Sequence, residues 1–315
     1  MPMYHIYKSF DGKIRQIESI EKDCWINFID PDEKDTRFLT EQLGIDQDFI
    51  RSSLDEEEMS RVETDDNGTT LIIVDIPAPE KEEHVGNTIL FETLPLSIIV
   101  NKEHIITICS DETAILKAFA DGVVKQVHTH MKTRFILQIL YRVASKYLFY
   151  LKQIDKISNY VERQLHRSMK NKELIQLLDL EKSLVFFSTS LKANEITMQK
   201  IRRGKFIRLY EEDEDLLEDV LIETNQAIEM SNIYSNILSG TMDAFASVIS
   251  NNLNIVMKVL ASITILMAIP NIVTSFYGMN ITGGIPMDHF WWFPAVISVA
   301  AICVAAWILI KKDML

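Results

Sequence analysis

Along its last quarter the chain abandons the usual interleaving of polar and apolar positions. Residues 256–276 carry a single charge, Lys258. That run is long enough to cross a hydrocarbon core of roughly 30 Å at about 1.5 Å per residue. A second apolar run covers 290–310. The pattern predicts a C-terminal hairpin of two membrane helices, about 254–277 and about 291–310, joined by an outer loop over 278–290. Before it, from about Lys132, Pro and Gly are nearly absent up to Gly204 and apolar residues recur at helical spacing: Phe135, Ile139, Leu140, Val143, Tyr147, Leu151 and Ile154. A second helix is expected over 172–202, antiparallel to the first. A third is expected to start near Leu216 and run without a break into the membrane, about 60 residues and roughly 90 Å long. Pro270 is expected to kink it or to free a carbonyl toward a pore.

Residues 1–125 follow another rhythm. Short runs rich in Ile, Val, Leu and Thr alternate with turn residues such as Asp11-Gly12 and Asp66-Asn67-Gly68. A strand running into a helix start is expected over 25–31, further strands at 69–76, 88–91, 95–101 and 104–108, and helices at 32–43 and 111–122, closed by Gly44 and Gly122. The count is four to six strands in one mixed sheet with helices packed on it. The division is a cytoplasmic α/β domain at 1–130, a cytoplasmic long-helix region with a stalk helix at 131–250, and a transmembrane domain at 251–315.

The first membrane helix is not uniformly apolar. Steps of three and four residues from Asn254 pass through Met257, Ala261, Thr264, Ala268, Asn271, Ser275 and Gly278, which share one face. Lipid cannot satisfy the donors and acceptors of such a face, so protein or water must meet it. Two readings stay open at this level: close helix packing through small residues, or a pore lined by several copies of this helix.

Charge changes the picture in two ways. Of 32 Lys and Arg and 45 Asp and Glu, only Lys258, Lys311, Lys312, Asp288 and Asp313 lie beyond residue 250, so 1–250 carries 29 against 43, a balance of −14. An acidic soluble part argues against nucleic-acid binding. Lysines flank the hairpin at both inner ends and its connecting loop has none. That places both termini in the cytoplasm and the loop outside. Trp291, Trp292 and Trp307 fall near the two interfaces. The acids of 211–215 suit a solvated helix N-terminus. The first ten residues lack an apolar core of signal-peptide length. Cys24, Cys109 and Cys303 are scattered, which predicts no disulfide framework and no zinc spacing. No Gly-rich phosphate loop or Ser/His/Asp set is present, so no nucleotide partner and no enzyme activity are expected.

The helix exit reads Tyr277-Gly278-Met279-Asn280. In this position it resembles the signature of the CorA family of divalent-cation channels, Gly-Met-Asn just after the first of two C-terminal transmembrane helices. The resemblance is strong from about Asp219 onward and faint before it, where Trp25-Ile26-Asn27-Phe28 only loosely follows the family's Trp-Ile-Asp-Leu. It implies a homopentameric funnel in the cell (plasma or inner) membrane that passes magnesium down its electrochemical gradient. Gly278, Met279 and Asn280 would form the selectivity filter. A ring of Asn280 carbonyls would bind the water shell that magnesium surrenders reluctantly. Asn254, Met257, Leu260, Ala261, Thr264, Ala268, Asn271 and Ser275 would line the pore, with Met257 and Leu260 as a hydrophobic constriction and Asp243 as an inner-mouth acid. The family's bulky apolar residue near Ala268 is missing here, and its Pro often sits one place before Pro270.

The resemblance also implies cytoplasmic magnesium sensing between subunits. Asp219 matches the carboxylate at the start of the stalk, and Glu80 is the candidate partner in the neighbour's sheet domain. A divalent ion between two carboxylates turns repulsion into a bridge. Two rivals remain. One is a cobalt, nickel or zinc transporter of the same family, although a zinc path favours His, Cys or carboxylate ligands that the stripe lacks. The other is a membrane-anchored sensor or scaffold that transports nothing.

Overall fold

The computed structural model describes residues 4–79, 90–168, 171–279 and 292–314. Glu80, Asn280 and residues 281–291 lie outside these residues. The chain divides into two compact units, Met1–Ser239 and Gly240–Leu315.

The first unit is built on a sheet. β1 (Tyr4–Phe10) and β2 (Lys13–Ile17) form a hairpin about Asp11 and Gly12, both with positive φ. β3 (Trp25–Ile29), α1 (Glu33–Glu41), α2 (Gln47–Ser53), β4 (Arg61–Thr64), β5 (Thr70–Pro79), β6 (Phe91–Val100), β7 (Ile105–Cys109) and α3 (Ala114–Ala120) follow. The strands make one seven-stranded sheet in the order β2-β1-β3-β7-β6-β5-β4. Among the described residues β3 and β7 pair in parallel and every other pairing is antiparallel. The sheet exceeds the expected four to six strands. β4 is the addition with the weakest signal, four residues of which only Val62 is apolar, while β6 covers the expected strand 95–101 and reaches only Phe91 of the expected strand 88–91, whose first two residues lie outside the described residues.

Alternation along β3 shows how the sheet serves two layers. Cys24, Ile26 and Phe28 join Leu39, Ile45, Phe49 and Ile50 in a core under α1 and α2. Trp25 points the other way. Its ring meets Phe135 at 5.4 Å and its indole N–H donates to Thr107 Oγ1 at 2.8 Å, which in turn donates to Asn27 Oδ1 at 2.8 Å. Asn27, where the family motif has Asp, thus closes a buried chain of neutral hydrogen bonds. α1 opens on a capping box in which Asp32 Oδ1 accepts from the Asp35 amide and Asp35 Oδ2 accepts from the Asp32 amide.

On the Trp25 side lie α4 (Lys132–Ser168) and α5 (Asn171–Arg202), both close to their expected bounds, and the start of α6 (Glu211–Tyr277). α6 begins five residues before the expected Leu216. Glu211, Glu212, Asp213 and Glu214 form its first turn, where the helix dipole favours acids. Thr224 Oγ1 lies 3.5 Å from Met198 of α5, and Ser231 Oγ donates to the Leu184 carbonyl at 3.1 Å. These contacts run α5 and α6 antiparallel. At the edge of β5 beyond the reach of β4, the Asn194 side chain of α5 takes the place of a strand. Its Oδ1 accepts from the Asp75 amide at 2.9 Å and its Nδ2 donates to the Asp75 carbonyl at 2.8 Å. Tyr147 donates to the same carbonyl at 3.1 Å.

Candidate functional site

The second unit holds the rest of α6 and α7 (Phe293–Lys311), the two helices among the described residues long and apolar enough to cross a membrane. α6 passes through Pro270 without ending.

The pairing of the two helices fixes the orientation of α6. Between 251 and 279 one residue is buried, Ser262, and five are half-buried: Leu266, Ile269, Pro270, Val273 and Tyr277. Their spacing marks one face. At its C-terminal end the Tyr277 ring packs edge-on against Phe293, centroids 6.3 Å apart. At its N-terminal end Ser262 Oγ donates to the Met314 carbonyl at 2.9 Å. α7 is therefore antiparallel to α6 and covers this face along its length.

The small, polar stripe lies on the opposite side. Asn254, Met257, Leu260, Ala261, Thr264, Ala268, Asn271, Ser275 and Gly278 are all exposed. At about 100° per residue the middle of that stripe is roughly 170° from the middle of the α7-facing one. Pro270 sits toward α7, so the carbonyl it leaves free is not on the polar stripe as expected. A shallow groove runs over Asn271, Ser275 and Met279 at the outer end of the stripe. Gly278 fits closely there: a Cβ would stand 3.2 Å from the Thr274 carbonyl, a tight contact that the helix end would have to ease by a few tenths of an ångström. Its own N–H donates to that carbonyl at 2.9 Å, the last turn before the chain leaves the helix.

The chemistry of the stripe follows from its atoms. Water bound to a cation turns its hydrogens outward, so a wall that receives a hydrated cation needs acceptors. Thr264 Oγ1 spends its hydrogen on the Leu260 carbonyl at 2.8 Å, leaving its oxygen to accept. Asn271 offers an amide carbonyl and Ser275 a hydroxyl oxygen. None carries a charge that would hold a divalent ion against release. Met257 and Leu260 supply apolar surface below them, 61% and 63% exposed, open for a neighbour or for water.

The remaining expected site residues are spread along α6. Asp243 is exposed, and its carbonyl accepts from Ser247 Oγ at 3.0 Å. Asp219 is exposed in the first unit beside the buried Leu217 and Val220. Among the described residues no three or more His, Cys, Asp or Glu side chains come together as a metal site. Sequence reasoning passed over Ser262, whose signal is its place in the 262-266-269-273 spacing. It also passed over Asp75, a carboxyl on a strand otherwise buried and apolar.

An α/β domain whose last helix continues into an apolar two-helix hairpin defines a class: membrane proteins that carry an α/β domain on a paired-helix span. The particular family follows from comparison. Residues 21–312 match the family model described as CorA-like Mg2+ transporter protein. The chain is 28% identical over 265 residues to the cobalt/magnesium transport protein CorA of Methanocaldococcus jannaschii, covering 81% of this chain and 79% of that one. The complete structure of the CorA magnesium transporter from the same organism superposes with a TM-score of 0.81 at 24% identity, covering 99% of this chain and 97% of the other. The full-length CmaX protein gives a TM-score of 0.72 at 13% identity over 98% and 96%. The chain belongs to the CorA family of divalent-cation transporters, and the two structures show that its fold is theirs.

Proposed function

We propose that this protein is a magnesium channel. Several copies, five in the family pattern, set the polar stripe of α6 around a common axis. Hydrated magnesium then passes down its electrochemical gradient into the cytoplasm without nucleotide. The observation that carries this reading is the placement of the stripe: α7 covers one side of α6, and the acceptor-bearing side is left outward within a single chain. A hairpin that served only as an anchor has no use for Thr264, Asn271 and Ser275 on the side its partner helix does not touch. Exposed Ile222, Ile233 and Ile237 on the cytoplasmic part of α6 give further copies an apolar surface to meet.

Asn280, following Gly278 and Met279, would form the filter at the outer mouth. Tyr277 packs on Phe293 of its own chain, which leaves Asn280 rather than the phenol to meet the ion. Cobalt is the second ion to consider, because the relative from M. jannaschii is named for both metals. Zinc is disfavoured by a stripe without His, Cys or carboxylate. The test is flux of magnesium, cobalt, nickel and zinc into liposomes containing this protein alone, with sizing in detergent. Magnesium entry is expected from the native chain. At least about a tenfold loss is expected from Asn280→Ala, the equivalent of about 1.4 kcal/mol per decade. A monomer without flux would leave the scaffold reading standing.

Closure by cytoplasmic magnesium is assigned to Asp219 on α6 and Glu80 of a neighbouring copy. Magnesium between them holds the closed arrangement, and its loss releases it. Asp219→Ala and Glu80→Ala should each raise the internal magnesium needed for half-inhibition. Native inhibition in both variants would remove the assignment.

A further inference from the structure

Among the described residues of the two membrane spans, four hydroxyls have visible partners, and three of them stay at home. Thr264, Thr274 and Ser298 donate to carbonyls of their own helix, those of Leu260, Pro270 and Pro294. This is the default for Ser and Thr inside a helix. Ser262 does otherwise. Its hydroxyl reaches across to the Met314 carbonyl at 2.9 Å, and the residue is the one fully buried position of α6 between 251 and 279.

What brings Met314 there is a specific turn. α7 ends at Lys311 with Lys312 as its cap, and Asp313 takes a left-handed conformation with φ 52. The Met314 N–H returns to the Leu309 carbonyl at 3.1 Å and the Asp313 N–H to the Ile310 carbonyl at 3.1 Å. These two bonds make a Schellman motif with Asp at the position where Gly is usual. Asp and Asn tolerate that conformation better than other side chains. The turn folds the chain back so that the Met314 carbonyl, which a straight continuation would carry away, faces α6. The Ser262 hydroxyl is buried, and the Met314 carbonyl is the partner that spares it an unsatisfied donor.

Ser262 is next to Ala261 and within about one turn of Leu260, Thr264 and Met257. It points away from all of them, toward α7. A tie at the back of a helix at this level fixes the rotation with which the front presents its apolar and acceptor groups. We propose that the turn closing α7 is a latch on the pore-lining helix, with Ser262 as a positioning residue that holds the Met257–Leu260 constriction in its closed rotation. The role rests on the pore reading above and adds to it a control point on the face away from the ion.

The experiment uses the full chain in liposomes, with hydrogen exchange of the peptide covering residues 309–314 measured on the same preparations. Ser262→Ala should accelerate exchange in that peptide. It should also raise the internal magnesium for half-inhibition by about three- to tenfold, the factor that one net hydrogen bond commands, with the magnesium-to-cobalt flux ratio unchanged. Ser262→Thr keeps the hydroxyl and should restore both. Asp313→Val, which disfavours the left-handed turn, should match Ser262→Ala, and the two together should shift no further than either alone. Unchanged exchange in Ser262→Ala overturns the latch. Faster exchange with native inhibition leaves a structural bond and overturns the positioning role. Absence of magnesium flux from the native protein overturns the pore reading itself, and is told apart by the exchange result.

Discussion

Leucine in place of Asn271 is expected to cut magnesium flux by about tenfold or more, while leucine in place of Val273, two residues on, leaves it near the native level. Both substitutions put the same side chain into the same turn of α6. They differ in direction. Asn271 belongs to the exposed stripe with Thr264, Ala268 and Ser275, and Val273 to the half-buried face against α7. If the stripe lines a pore, Asn271→Leu removes one acceptor from every copy and replaces it with branched hydrocarbon at mid-membrane. The hydrated ion then loses partners for its outward hydrogens, and the narrowed, apolar wall favours dewetting. Val273→Leu adds one methylene to a helix–helix contact, a volume change that membrane packing tolerates at modest cost. Radiotracer or dye-reported flux with equal protein per liposome reads the difference. Equal flux from the two variants would mean that α6 does not present this stripe to the ion.

How far the sequence alone leads depends on what kind of signal a residue leaves. The membrane hairpin was legible as two long runs almost free of charge, and the α6 stripe because a long helix carries its 3.6-residue period with it. The helix bounds near 132, 172, 202 and 277 follow from the same signal, and so did the polar stripe as a unit. Which side of α6 faces α7 was not legible, because the α7 sequence is apolar all round and names no contact face. It took Ser262–Met314 and Tyr277–Phe293 to fix it. Strands fared less well. β4 has one apolar residue in four, and its existence depends on pairing Val62 opposite Ile72 of β5, a tertiary fact that no local pattern announces. α2 was missed for a related reason: seven residues are too few for a period to show, and the Asp46 side chain capping the Asp48 amide is its clearest sign. Asn27 shows the limit of a motif. Read against a family pattern it is a departure. In the structure its amide oxygen accepts from Thr107, which holds Trp25, and an acid there would meet the same hydroxyl with a buried charge.

Asp75 yields the larger stability prediction. It sits on β5 among buried Val74, Ile76 and Leu96, where Tyr147 and Asn194 engage its backbone and Ser190 its carboxyl. Burial pushes the carboxyl up to about 6 from 3.8, against a weaker downward pull from the Ser190 hydroxyl. Burial, with Asp75 as the next cause, also raises the Tyr147 phenol well above its ordinary value, so the two groups do not ionise together. The sign follows from which state holds the proton more tightly. Folded Asp75 does, so its contribution favours folding below about pH 4 and is lost as the pH rises through 6. At pH 7 the ionised carboxylate costs about 2–3 kcal/mol relative to a neutral group of the same shape. Asp75→Asn should therefore raise the unfolding midpoint of the first unit at pH 7 by about 4–10 °C, on the scale for a unit of this size. The gain should shrink toward zero at pH 4, where both side chains are neutral. Thermal unfolding of the full chain in detergent at several pH values, followed by the fluorescence of buried Trp25 against that of the hairpin tryptophans, checks both the sign and the window. An Asp75→Asn variant no more stable than the native chain at pH 7 would mean that the carboxylate is relieved by water or by a cation reaching it in solution.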